Sequence, residues 1–217
     1  MNPSRFDRFL PLAGVLAGLT FTAFNVLTWG APETSDAHET TVWGAAHETR
    51  AQIGAMMLAY TAVLLAFFAA GARKAVRSGE PGESTYSSVV FAGGVMTAVT
   101  AGSWATLILA QLSAVKDGDR AAVEALAHLT SLAWLPWLIG SVVLFVSMGL
   151  GGLRTASLPR WLAIATLVLG VVGATGVGGY VLYIALPFWL IVTGVVLHGR
   201  LGAAEVDEVL SPVPARV

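Results

Sequence analysis

AQIGAMMLAYTAVLLAFFAAGARKAVR, residues 51–77, sets an uncharged stretch from Ala51 to Ala72 directly against Arg73, Lys74 and Arg77. A hydrocarbon core about 30 Å thick is crossed by about 20 helical residues, and in lipid only a helix or a closed barrel pairs all of its own backbone groups. The stretch meets the length, and the three cations after it mark a boundary with water. Working outward, five further stretches repeat the pattern, at 10–29, 88–112, 129–151, 160–176 and 177–197. Together they predict an all-α fold, a polytopic bundle of six transmembrane helices within residues 1–200. The run GATGVGGY at 173–180 predicts a tight turn between the fifth and sixth helices. Residues 201–217 are polar and contain proline, which predicts a disordered tail. The first apolar stretch exceeds the short core of a secretory signal and lacks a small-x-small cleavage site after it, so it is retained as a helix.

Composition agrees. The chain is 56% hydrophobic and 12% charged, with mean hydropathy +0.74, where a soluble domain carries about a quarter charged residues. A net charge of −1 and the lack of any basic run exclude nucleic acid as a partner. With no cysteine, disulfides, thiolate nucleophiles and thiolate-held metals are excluded.

Lysine and arginine concentrate on the cytoplasmic side of membrane proteins. With the N-terminus inside, nine of the twelve cations fall inside (Arg5, Arg8, Arg73, Lys74, Arg77, Arg154, Arg160, Arg200, Arg216) and three outside (Arg50, Lys116, Arg120). This predicts a multi-pass protein of the plasma membrane with both termini, and the tail, cytoplasmic. The first outer loop, 30–50, is acidic and either extends the second helix or forms a short interfacial helix around Trp43. Asp117 to Asp119 predict a turn followed by a helical run into the fourth segment.

The segments SLPRWLAIATLVLGVVG (157–173) and LPFWLIVTGVVLHGR (186–200), with HETRAQIGAMMLAYTAVLLAFFAAGARKAVR (47–77), make the chain similar to a large group of uncharacterised six-helix integral membrane proteins of high-GC bacteria, grouped as a domain of unknown function. The resemblance implies architecture and a plasma-membrane location. It brings no activity and no catalytic residue.

Ionisable residues inside a bilayer usually mark function, and no acid falls mid-membrane in these limits. That argues against proton relays and carboxylate cation sites. No HExxH or GxSxG motif occurs, and no residue is assigned a catalytic role. Uncharged polar and aromatic residues instead gather in the outer halves of the helices: Asn25, Gln52, Trp104, Gln111, Trp134, Trp137, Tyr180 and Tyr183. One reading is an outward vestibule, formed by helices one, two, three and six, for a small apolar or lipid-like ligand. The plainer one is an interfacial belt of Trp and Tyr with amides reaching water.

His47, Glu48 and His128 lie near the outer helix ends and are the set to test for a metal, although their spacing matches no one-face helical pair of ligands. No cofactor is expected. Gly14 with Gly18, the series Gly94, Ala98, Gly102, and the series Gly170, Ala174, Gly178 predict close helix seams, one of them a candidate dimer face. Pro136 and Pro187 predict kinks. The function expected from all this is a non-catalytic accessory or partner-binding membrane component. Membrane lipid, another membrane protein or a second copy of the chain are its expected partners. The binder through the vestibule is the alternative, and a membrane enzyme using His47, Glu48 and His128 ranks behind both.

Overall fold

Turn chemistry divides the apolar runs into helices. The computed structural model describes residues 9–32, 36–82 and 85–210, with side chains through 201. α1 (Leu12–Leu27) follows Pro11. α2 (Ala37–Ala46) starts where the Asp36 carboxylate accepts from His38 N at 2.7 Å, an N-cap that satisfies one of the free donors of the first turn. His47, in a non-helical conformation, ends α2 and opens α3 (Glu48–Arg77), which carries Glu48 in its first turn and Lys74 and Arg77 in its last, each complementing the helix dipole. α4 (Thr85–Asp117) runs to Gly118, whose φ of 70° suits a residue without Cβ. Asp119 then caps α5 (Arg120–Leu132) by accepting from Ala122 N at 3.1 Å. α6 (Trp134–Thr155) ends at Ala156 in a left-handed conformation. α7 (Arg160–Gly173) and α8 (Gly178–Leu210) are separated by the expected turn, with Gly176 at φ 46°.

Among the described residues, four helices are long and apolar enough to cross a membrane: α3, α4, the α5–α6 pair and α8. α1 and α7 are apolar but shorter, at 16 and 14 residues. Three sequence expectations need adjusting. Pro136 lies in the first turn of α6 instead of kinking a continuous helix, because the donor it lacks leaves the chain to break at Ala133. α4 extends to Asp117, beyond the expected end at 112. The tail expected from 201 begins as helix, since α8 continues to Leu210, and residues 211–217 lie outside the described ones.

Six helices close into a ring in chain order, α1 on α3, α3 on α4, α4 on α6, α6 on α7, α7 on α8, and α8 back on α1. Missing side chains make the seams. A Cβ added at Gly93 would sit 2.5 Å from Leu144 N, one at Gly140 2.7 Å from Thr97 N, one at Gly149 2.7 Å from Leu167 N, and one at Gly18 2.5 Å from the Pro187 carbonyl. In lipid, with no hydrophobic drive between helices, such backbone approach supplies the dispersion contacts that hold the ring. Of the predicted small-residue series, Gly14, Gly94 and Gly170 are likewise taken up by contacts within the chain, whereas Gly102 has only Ala62 Cβ nearby, at 3.6 Å. Thr20 and Thr61 add a hydrogen bond of 2.8 Å between α1 and α3.

Inside the ring, aromatic side chains form two layers. Phe68, Phe145 and Trp189 pack together, with ring centroids 4.1 Å apart for Phe145–Trp189 and 5.7 Å for Phe68–Trp189. Trp189 also donates from Nε1 to Thr166 Oγ1 at 2.7 Å. The second layer holds Phe21, Phe24, Trp104, Trp137 and Tyr183. α2 and α5 stand outside the ring and cap the end nearest this second layer, on a small core of their own around Ala37, Ala114 and Val123. The opposite end carries Arg73, Lys74, Arg77, Arg154, Arg160 and Arg200 and is called the basic end below.

Candidate functional site

The predicted vestibule residues do not meet at one point. Asn25 and Tyr183 do meet: Tyr183 donates its phenol to Asn25 Oδ1 at 2.5 Å, and Asn25 Nδ2 donates to the Phe21 carbonyl at 2.8 Å. Trp104 joins them, its ring tilted against Tyr183 at 6.4 Å and edge-on to Phe24 at 5.7 Å. Trp137 completes the node, stacked on Phe21 at 5.7 Å and edge-on to Tyr183 at 5.3 Å. Trp134 and Tyr180 stack on each other at 6.2 Å, away from the node, and Tyr180 is 65% exposed. Gln52 is exposed and donates to Glu48 Oε1 at 3.1 Å. Gln111 lies half-buried on α4, about two helical turns from Trp104.

One atom in the node stands apart chemically. Trp137 Nε1 is a buried donor with no hydrogen-bond partner, on a residue 1% exposed. A lone buried donor costs about 1–3 kcal/mol. Phe21, Phe24 and this indole nitrogen escape sequence reasoning, because nothing local distinguishes an inward Phe from a lipid-facing one.

His47, Glu48 and His128 are engaged separately. The His47 ring stacks on Trp43 at 5.0 Å, with Nδ1 3.1 Å from the Trp43 carbonyl. Glu48 accepts from Lys116 Nζ at 2.8 Å, an exposed pair that fastens the start of α3 to the end of α4. His128 is exposed on α5. Among the described residues no group of three or more His, Cys, Asp or Glu lies together in a way that could hold a metal ion.

α2 separates two surface clefts. One, about 190 Å³, lies between α2 and the α4–α5 turn and is lined by His38, Thr41, Val115, Arg120 and Val123 among others. The other, about 400 Å³, lies between α2 and the segment after α1, with Trp43, Glu39 and His47 in its wall. Arg50 braces that segment, donating to the carbonyls of Val26 and Trp29 at 3.0 and 3.1 Å.

At the basic end the sequence gives no hint of the role of Glu80. In a loop rich in glycine and proline it reads as a solvated acid, yet its side chain is 4% exposed. Its Oε1 accepts from the backbone N–H of Tyr86 at 2.7 Å and of Ser87 at 3.1 Å, and its Oε2 accepts from Ser87 Oγ at 2.6 Å. It therefore caps α4 from across the loop. Burial opposes its ionisation, but the bonds from Ser87 and Tyr86 and the nearby Arg77 guanidinium together hold its carboxyl below the usual value. A depressed carboxyl contributes stability that is fully present above the ordinary carboxylate range and drains as the pH falls through the folded-state value. Thermal melts in detergent should show the wild type losing stability on acidification below about pH 4. Glu80→Gln should flatten that dependence and cost on the order of 1–2 kcal/mol at neutral pH through the weakened cap.

No family model, no curated protein and no solved structure matches the chain.

Proposed function

We propose that the chain is a six-span protein of the plasma membrane with both termini cytoplasmic, and that it serves as a non-catalytic accessory component binding another membrane protein or a second copy of itself. What carries this reading is the fate of the polar groups. Asn25 and Tyr183 are spent on each other, Gln52 on Glu48, Glu48 on Lys116, and Tyr180 faces outward. A substrate-transforming site needs such groups converging on one accessible point.

Ring membership supports six spans. α1 and α7 cover about 24 and 21 Å, short of the average hydrocarbon core, but each is held between two long neighbours, and local thinning or snorkelling makes up a mismatch of this size at modest cost. The segregation of Arg73, Lys74, Arg77, Arg154, Arg160 and Arg200 to one end supports the orientation. A green fluorescent protein fused after Val217 should fluoresce in intact cells, since that reporter folds only on the cytoplasmic side when exported through the general secretory route; a dark fusion at normal expression would reverse the topology. Gentle detergent extraction and native mass spectrometry should recover the chain at fixed stoichiometry with a partner subunit or a second copy. A bare monomer at every detergent concentration would overturn the accessory role.

Trp137 favours a second reading, in which the node binds a membrane-dissolved molecule with a carbonyl acceptor, because a donor buried among aromatic rings is what such a group would engage. Native mass spectra of the wild type would then show a retained small molecule that Trp137→Phe loses while remaining folded. Identical spectra for the two proteins would remove this reading.

A further inference from the structure

We propose that the basic end engages the headgroups of anionic phospholipid through Arg73 and Arg154, one on each flank of α4. The inference rests on the membrane reading above and adds to it a ligand and two residues. Arg73, near the end of α3, places its guanidinium over the Phe91 ring, 5.3 Å from the centroid. Arg154, near the end of α6, lies in the same way over Tyr86 at 5.1 Å. Tyr86 and Phe91 are about 140° apart around the helix, so the two arginines approach α4 from its two neighbours. All three helices are close here: a Cβ on Gly151 would meet Val76 Cγ1 at 3.0 Å and Tyr86 Cβ at 3.4 Å.

A guanidinium held over a ring by the cation–π attraction still has N–H donors to give to another partner. Those donors need an anion, and Glu80, a described acid of the basic end, does not supply it. Glu80 is turned inward, with its oxygens taken by Ser87 and Tyr86. The same capping occupies the Tyr86 and Ser87 donors of the first turn of α4. The chain thus holds two guanidinium groups over aromatic rings at the basic end, with no described carboxylate to neutralise them. A lipid phosphate matches them in charge and can accept the paired N–H donors of a guanidinium, and polybasic segments at a membrane surface gain about 1 kcal/mol per cation from anionic lipid.

The test is competitive lipid retention. Purified full-length protein in mixed micelles with equal phosphatidylglycerol and phosphatidylcholine is examined by native mass spectrometry. The wild type should retain phosphatidylglycerol preferentially. Arg73→Gln with Arg154→Gln should lower that preference by about 30-fold, or ~2 kcal/mol, and each single change should lower it by about the square root of that. Arg120→Gln, at the opposite end, should leave it unchanged, and so should excess inorganic phosphate. Equal retention of the two lipids by the wild type, an unaltered preference in the double variant, or full displacement by inorganic phosphate would each overturn the site. Failure of the membrane reading would show separately, as a chain that stays in solution without detergent. If the double variant does not fold, the singles decide.

Discussion

Gly93→Leu should abolish the folded protein, whereas Gly102→Ala, nine residues along the same helix, should be tolerated. At Gly93 even the first added carbon would lie 2.5 Å from Leu144 N and 2.9 Å from its Cα, and backbone cannot swing aside as the tip of a side chain can. Alanine alone should cost about 1–3 kcal/mol through overpacking. The three further carbons of leucine would wedge α4 off α6, the seam that holds two halves of the ring. At Gly102 the nearest atom is Ala62 Cβ at 3.6 Å, ordinary van der Waals contact, and alanine should gain about 0.5–1 kcal/mol in helix propensity. Gel filtration in detergent should show a monodisperse peak for Gly102→Ala and aggregate for Gly93→Leu. A folded Gly93→Leu would mean that α4 and α6 do not pack as described.

Trp189→Ala should be the most damaging of the truncations in the aromatic layers, at about 3–5 kcal/mol. Its ring fills the space between Phe68 and Phe145, and its indole donates to Thr166, whose hydroxyl in turn donates to the Leu162 carbonyl. Trp189→Phe separates the parts. It keeps most of the packing, loses the bond to α7, and leaves Thr166 Oγ1 with its own donation intact, so about 1 kcal/mol should be lost. Thermal melts of both variants in one detergent decide the matter: equal losses would show that the hydrogen bond, and not the filled volume, holds α7 and α8 together.

The helices were legible in the chain because lipid demands long uncharged runs, and the turns because Gly118, Asp119 and Gly176 carry specific backbone chemistry. Which face of each helix turns inward was not. In water polarity marks the outer face, but here inside and outside are equally apolar: Phe67 is 46% exposed and its neighbour Phe68 is fully buried. The same blindness merged Tyr180 with Tyr183, one turn apart, into a single expected vestibule, although one stacks on Trp134 outside and the other bonds Asn25 within. Glu80 was invisible for a different reason. Its partners lie across a loop, and only the arrival of α4 converts a loop carboxylate into a cap.

Because every helix of the ring rests on the one made just before it, the growing chain can pair its pieces as they emerge, with no early segment waiting for a distant mate. α1 is the exception. Its Gly14 and Gly18 surface is completed on one side by Leu190 and Pro187 of α8, so α8, the final member of the ring, acts as the keystone. A ribosome that stalls before Gly178 would release an open arc whose first member is half bare, which is the kind of surface that membrane proteases are equipped to notice.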